Sequence, residues 1–346
     1  MSVRALPWTR QGGLSGAAAR RRWGDAGLAY LYLAPALILL TLFHFFPAVY
    51  GFYISLWRWG IVQERFVGLE NYWRLLAQPQ CEAGGPLLGC SIGDEAFWQS
   101  LGVTLWYVAL VIPAEMVLGL VIAYLLFQPI RARTAYRTAY FLPHVTSTAA
   151  AAVVWKWLYN QNSGFLNGLA ELLHLPKSLW LQEASGVFQL LFAQVGVALP
   201  DWLAGPSMAL VSVAAMSIWA YTGLYVVIYL AGLGNIPAEL YEAARIDGAN
   251  EWQLFRRITL PLLSPTTFFL LVVGTIGAMQ AFNQIYVMTG GGPLDTTRTV
   301  TMLIFKTFYQ QTRVGYGSAM AFVLSLIIIA LTVVNFRVVG RRVHYE

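Results

Sequence analysis

In a chain of 346 residues, a hydrophobic content of 58% against only 11% charged residues excludes a set of water-soluble domains and describes a membrane protein. The formal net charge of +6 does not point to nucleic acid, because the basic residues gather at the borders of apolar stretches, where membrane topology accounts for them. Six long stretches, 26–57, 96–130, 138–155, 202–238, 258–294 and 314–336, carry no Asp, Glu, Lys or Arg apart from Glu115. About 20 apolar residues cross the hydrocarbon core, where backbone groups must bond within their own segment. Each stretch therefore reads as a helix, over about 28–57, 97–127, 138–158, 207–232, 265–289 and 315–338, in an all-α membrane protein with six transmembrane helices.

Residues 1–27 form an Arg- and Gly-rich tail expected to be cytoplasmic, and the first apolar run is too long for a signal-peptide core, so the first helix is expected to remain uncleaved. The outer segment after it contains Phe66-Val67-Gly68-Leu69-Glu70-Asn71-Tyr72, which reads as a turn entering a short amphipathic helix on the membrane surface. It also holds Cys81 and Cys90, the two cysteines of the chain, among glycines and a proline. In an oxidising compartment they would close a short loop as a disulfide, with two free thiols as the alternative.

The second helix carries Glu115 beside Pro113, and a basic loop with Arg131, Arg133 and Arg137 leads to the third. The long segment 156–206 is expected to hold short helices on the outer face. Its uncharged run 184–200 is too short, and too diluted by Gln189, Gln194 and two glycines, to count as a seventh span. With six spans both termini are cytoplasmic, and the inner segments hold Arg20–Arg22, Arg131, Arg133, Arg137, Arg245, Arg256, Arg257, Arg337, Arg341 and Arg342, in agreement with the excess of positive charge on cytoplasmic loops. The fifth helix ends at Gly290-Gly291-Gly292-Pro293, and 339–346 is a basic cytoplasmic tail.

Between the fourth and fifth helices, Ile236-Pro237-Ala238-Glu239-Leu240-Tyr241-Glu242-Ala243-Ala244-Arg245-Ile246-Asp247-Gly248 runs on to Ile258-Thr259-Leu260-Pro261. Pro237 suits a helix start, Glu239 and Glu242 favour its N-terminal end, and Gly248 permits the backbone that ends one helix before another begins. A short helix, a turn and a second helix are predicted at the cytoplasmic surface over 236–261. The spacing of Glu242, Ala243, Ala244, Gly248, Ile258, Leu260 and Pro261 resembles the Glu-Ala-Ala coupling loop of ABC importer permeases. The segment Asp247-Gly248-Ala249, with Phe66–Tyr72, Phe141-Leu142-Pro143, Trp219 and Thr289-Gly290-Gly291-Gly292-Pro293, is similar to the maltose-type carbohydrate branch over nearly all of 28–338. The stretches near 79–95 and 182–205 depart from it as insertions.

That resemblance implies the type I ABC importer permease fold over 28–338 and a place in the inner membrane of a prokaryote. It also implies import of a sugar or related polyol or glycoside, with coupling through Glu242, Ala243, Ala244, Asp247, Gly248, Ile258, Leu260 and Pro261. The partners it implies are a second homologous permease subunit, a dimer of ATPase subunits and an extracytoplasmic solute-binding protein, in contact with membrane lipid. From the maltose-type permease it further implies solute-contacting positions at Ser217, Ala220, Tyr221, Leu224, Gly274, Ala278 and Ala281, several of them small or apolar here.

The residues themselves contribute three further expectations. No Gly-x-x-x-x-Gly-Lys-Ser/Thr occurs, and Lys156, Lys177 and Lys306 are the only lysines, so ATP and Mg are expected on the partner ATPase, with no cofactor and no catalysis in this chain. The four histidines are scattered without ligand spacing, and no metal is expected. Polar groups within spans mark a candidate solute pathway: Glu115, Ser217, Trp219, Tyr221, Tyr225, Gln280, Asn283 and Gln284. The same amides and aromatics could instead hold helix to helix. An ion-gradient-driven secondary transporter or channel is the alternative function.

Overall fold

A computed structural model describes residues 28, 30–81, 90–193, 195–200 and 203–340. Contacts divide the chain into one unit up to Ile54 and a second from Ser55 onwards. In the first unit, helix α1 (Tyr30–Ser55) contains a π-helical turn at Thr41–Phe45 and is long and apolar enough to cross a membrane.

The second unit begins with a hairpin of β1 (Trp57–Trp59) and β2 (Gln63–Phe66), followed by α2 (Glu70–Leu76). The Asn71 side chain donates to the carbonyls of Ser55 and Trp57, which fastens the expected surface helix beneath the hairpin. β3 (Pro79–Cys81) and β4 (Cys90–Ile92) pair antiparallel with Cys81 opposite Cys90. Pairing of those two side chains falls outside the described residues.

α3 (Glu95–Phe127) starts at an Asp94 cap and buries a single stripe, Ser100, Thr104, Tyr107, Val111, Glu115, Gly119, Ala123 and Leu126, at three- to four-residue spacing. That stripe packs along α8 (Met208–Gly234), in which Ser, Ala and Gly on the buried face allow close approach. α14 (Val314–Val338) closes this unit, its Tyr316 hydroxyl donating to Asp94 at 2.6 Å. Between α8 and α14 lie α9 (Ala238–Ile246), α10 (Glu251–Leu262), α11 (Ser264–Met279), α12 (Asn283–Met288) and α13 (Val300–Phe305).

Two expected continuous helices are broken. The stretch 138–158 is α4 (Arg133–Val145) and α5 (Thr148–Leu158), because the Thr146 hydroxyl takes the Leu142 carbonyl while its N–H turns back to Pro143, leaving Thr146 and Ser147 extended. The stretch 265–289 stops at Met279 and resumes at Asn283. The carbonyl of Ala281, freed by this break, accepts from the Thr299 hydroxyl at 3.1 Å, so the irregular backbone is not left unbonded. Among the described residues, four helices are long and apolar enough to cross a membrane, five if α10 and α11, bent by 59°, form one span. Segment 156–206 holds the expected short helices, α6 (Phe165–Leu172) and α7 (Val187–Ala193), and the run 184–200 contains only the latter within its described residues.

Candidate functional site

The break between α11 and α12 opens a cavity of about 340 Å³ in the middle of the helices. α3 contributes Tyr107 and Glu115, α4 contributes His144, and α8 contributes Tyr221, Leu224 and Tyr225. Gln280, Asn283 and Gln284 face it because the helix ends and restarts at that level, and Phe269 and Phe282 complete its aromatic walls. A chain of hydrogen bonds holds the wall: Gln284 Nε2 donates to Tyr107 Oη at 2.7 Å, and Tyr107 donates to Ser217 Oγ at 2.7 Å, joining α12, α3 and α8. Glu115, 2% exposed, meets the Tyr225 hydroxyl across the seam of α3 and α8. Gly274 leaves the space that Tyr225 occupies, since a Cβ there would lie 2.1 Å from the tyrosine oxygen.

The second element is the helical pair over 236–261. Pro237 is the N-cap of α9, one position before the first turn, where its missing N–H costs nothing. The helix ends as expected at Gly248, whose φ of +83° is the left-handed conformation that favours glycine. Asn250 then opens α10 with a reciprocal capping box to Gln253. Arg245 and Glu251 bridge the turn at 3.2 Å, and the Tyr241 and Thr259 hydroxyls bond at 3.0 Å across the two helices. Ala244, Asp247, Gly248, Arg257 and Ile258 line a shallow cavity of about 310 Å³, while Glu242 and Ala243 are exposed beside it. The arrangement presents small residues ringed by charge.

Residues 85–345 match the family described as binding-protein-dependent transport system inner membrane component. The chain belongs to this family of ABC importer permeases. A probable ABC transporter permease protein of Pyrococcus horikoshii is 35% identical over 91% of this chain and 95% of its own. The trehalose/maltose transport system permease protein MalF of Thermococcus litoralis is 31% identical over 92% of this chain and 95% of its own. The sn-glycerol-3-phosphate transport system permease protein UgpA of Agrobacterium fabrum is 32% identical over 92% and 96%. In fold, the permease is similar to a chain of a bacterial alginate ABC transporter crystallised with an alginate pentasaccharide-bound periplasmic protein, with a TM-score of 0.69 at 20% identity over 95% of this chain and 98% of that one. As a permease it is the non-catalytic component, and ATP hydrolysis belongs to a separate chain.

Of the eight candidate pathway residues, six line the permease cavity: Glu115, Tyr221, Tyr225, Gln280, Asn283 and Gln284. Ser217 is fully buried behind the wall as the acceptor for Tyr107. Trp219 does not line this cavity; it is 45% exposed and packed on Trp155 at 5.6 Å. Its neighbours Tyr221 and Tyr225 lie four residues apart and share a face, whereas Trp219 is on another. Among the positions matching the maltose-type site, Tyr221, Leu224, Gly274, Ala278 and Ala281 line the cavity, while Ser217 and Ala220 do not. Sequence reasoning missed Tyr107 and His144. Tyr107 lies eight residues before Glu115, two helical turns, so the face of Glu115 was the available signal; His144 is carried in by the break between α4 and α5, which left no such sign.

Proposed function

We propose that this permease moves a sugar or a related polyol or glycoside through the cavity between α3, α8, α11 and α12. The observation that carries this reading is the lining itself. Aromatic faces at Tyr107, Tyr221, Tyr225, Phe269 and Phe282 surround three amides, the Tyr225 hydroxyl and the Glu115 carboxyl group. A ring of hydroxyls needs such donors and acceptors, with apolar faces for its C–H surfaces. Its similarity to a trehalose/maltose transport permease supports the same class of solute.

The remaining parts follow the family pattern. Six crossings, with α4 and α5 together forming the third, put both termini in the cytoplasm and the chain in the inner membrane of a prokaryote. The permease pairs with a second, homologous one, stands on two ATPase subunits that hold ATP and Mg, and receives solute from an extracytoplasmic binding protein. Its loop 236–261 docks on the ATPase, with Glu242, Ala243, Ala244, Asp247, Gly248, Ile258, Leu260 and Pro261 as the coupling residues, and moves with it as a rigid body.

The test is uptake by proteoliposomes containing the assembled complex, with binding protein outside and ATP inside. ATP-dependent accumulation of a labelled sugar or polyol supports the reading. Accumulation driven by an ion gradient, without ATPase or ATP, would replace it with the secondary-transporter alternative.

A further inference from the structure

We propose that the permease holds the headgroup of an anionic phospholipid at the end of α14 where Tyr316 lies. A cavity of about 530 Å³ there is lined by Arg58, Arg74 and Arg313, with Glu64 as its one acid and Ile61 and Val62 at its rim. Its floor is fixed, because Asn71 is anchored to the carbonyls of Ser55 and Trp57, and the Tyr316 hydroxyl is committed to Asp94.

The charges around this cavity do not cancel. Arg58 lies 3.9 Å from Glu70, which it shares with Arg65. Arg74 and Arg313 have no carboxylate within 4 Å among the described residues, and the second oxygen of Asp94 is taken up by the N–H of Phe97. The Arg313 guanidinium lies 5.0 Å over the ring of Tyr316, which holds it at the cavity and leaves its N–H groups available. Forked donors from three arginines suit phosphate oxygens.

The surroundings decide what carries the phosphate. α14 is a largely apolar helix of 25 residues beginning at Val314, directly after Arg313, so the arginine lies at the boundary between hydrocarbon and headgroups. Ile61 at the hairpin tip is 87% exposed and Val62 67%, and on the neighbouring turn and helix Leu69 and Trp73 are more than half exposed. Basic groups set among exposed apolar ones are the pattern of an interfacial lipid contact: the apolar side chains enter the acyl boundary while the arginines meet the phosphates. Neither a free phosphate nor a protein carboxylate would call for that apolar rim. Only the side of the membrane on which the lipid lies depends on the topology proposed above.

The assembled complex, in nanodiscs of equal parts phosphatidylcholine and phosphatidylglycerol, is extracted into detergent, and the phosphatidylglycerol retained per complex is measured by mass spectrometry. Arg74→Gln/Arg313→Gln is expected to retain roughly ten- to thirtyfold less, since each arginine at an anionic surface contributes about a fivefold attraction. Arg74→Lys/Arg313→Lys should retain an intermediate amount, since the charge stays while the forked, ring-stacked geometry is lost, and co-purification of the ATPase shows that each variant is folded. Inorganic phosphate added to the wild type should release none. Equal retention by wild type and the glutamine variant overturns the proposal, as does release by phosphate alone, which would make this a free-anion site. Weakened association of the binding protein in phosphatidylcholine discs, with phosphatidylglycerol retention unchanged, would assign the arginines to a protein partner instead. Stimulation of ATP hydrolysis by binding protein in the wild type reports separately on the transport reading.

Discussion

At Gly274 the cavity wall has no room for a methyl group, because the Tyr225 hydroxyl fills the space where a Cβ would stand. Gly274→Ala should therefore displace Tyr225 and destabilise the complex by about 1–3 kcal/mol, the usual cost of overpacking. Removing the clashing oxygen in Gly274→Ala/Tyr225→Phe should recover most of that loss, as read by thermal denaturation of the solubilised complex. An equal loss in single and double variants would mean that the two residues do not meet. Glycine at 274 was visible in the chain, but nothing in the sequence tied it to Tyr225 on a different helix. In the same way Glu115 was conspicuous as the one charge in the six apolar stretches, whereas its meeting with Tyr225 appears only once α3 and α8 are packed. Residues that stand out alone were legible; those defined by what they touch were not.

Among the elements, α9, its turn and α10 were the most legible, because glycine, proline and capping residues act over a few positions and leave their mark in local sequence. The breaks at Thr146–Ser147 and at Gln280–Phe282 were hidden, since an apolar run reads as a helix whether or not one turn inside it is opened by a side-chain hydroxyl or by a distant threonine. This distinction separates two variants of the proposed coupling element. Asn250→Ala removes the capping box and should cost about 1 kcal/mol of stability, loosening α10. Glu242→Lys lies on an exposed face and should leave the melting temperature near that of the wild type while weakening co-purification of the ATPase several-fold. If Glu242→Lys bound the ATPase normally, the docking face would have to lie elsewhere on the pair. For β3 and β4, where Cys81 stands opposite Cys90, reductive alkylation should add mass to both cysteines only after a reductant is present. Alkylation without a reductant would show two free thiols.

For the molecule as a whole, composition and loop charge were enough to place it in a membrane, because the bilayer imposes length and hydropathy on every crossing. They could not reveal how a cavity is assembled from helices far apart in sequence, which here depends on the hydrogen-bond chain from Gln284 through Tyr107 to Ser217. In the proposed function, transport requires that this cavity and the loop 236–261 move together, and Gly248 is where that link is most exposed to test. Proline fixes φ near −65° and cannot adopt the +83° found there. The most direct measurement is ATP hydrolysis and solute uptake in parallel, in proteoliposomes bearing the wild-type or Gly248→Pro complex together with binding protein. The account predicts that the variant takes up no solute and loses the stimulation of hydrolysis by loaded binding protein; uptake and stimulation equal to the wild type would contradict it.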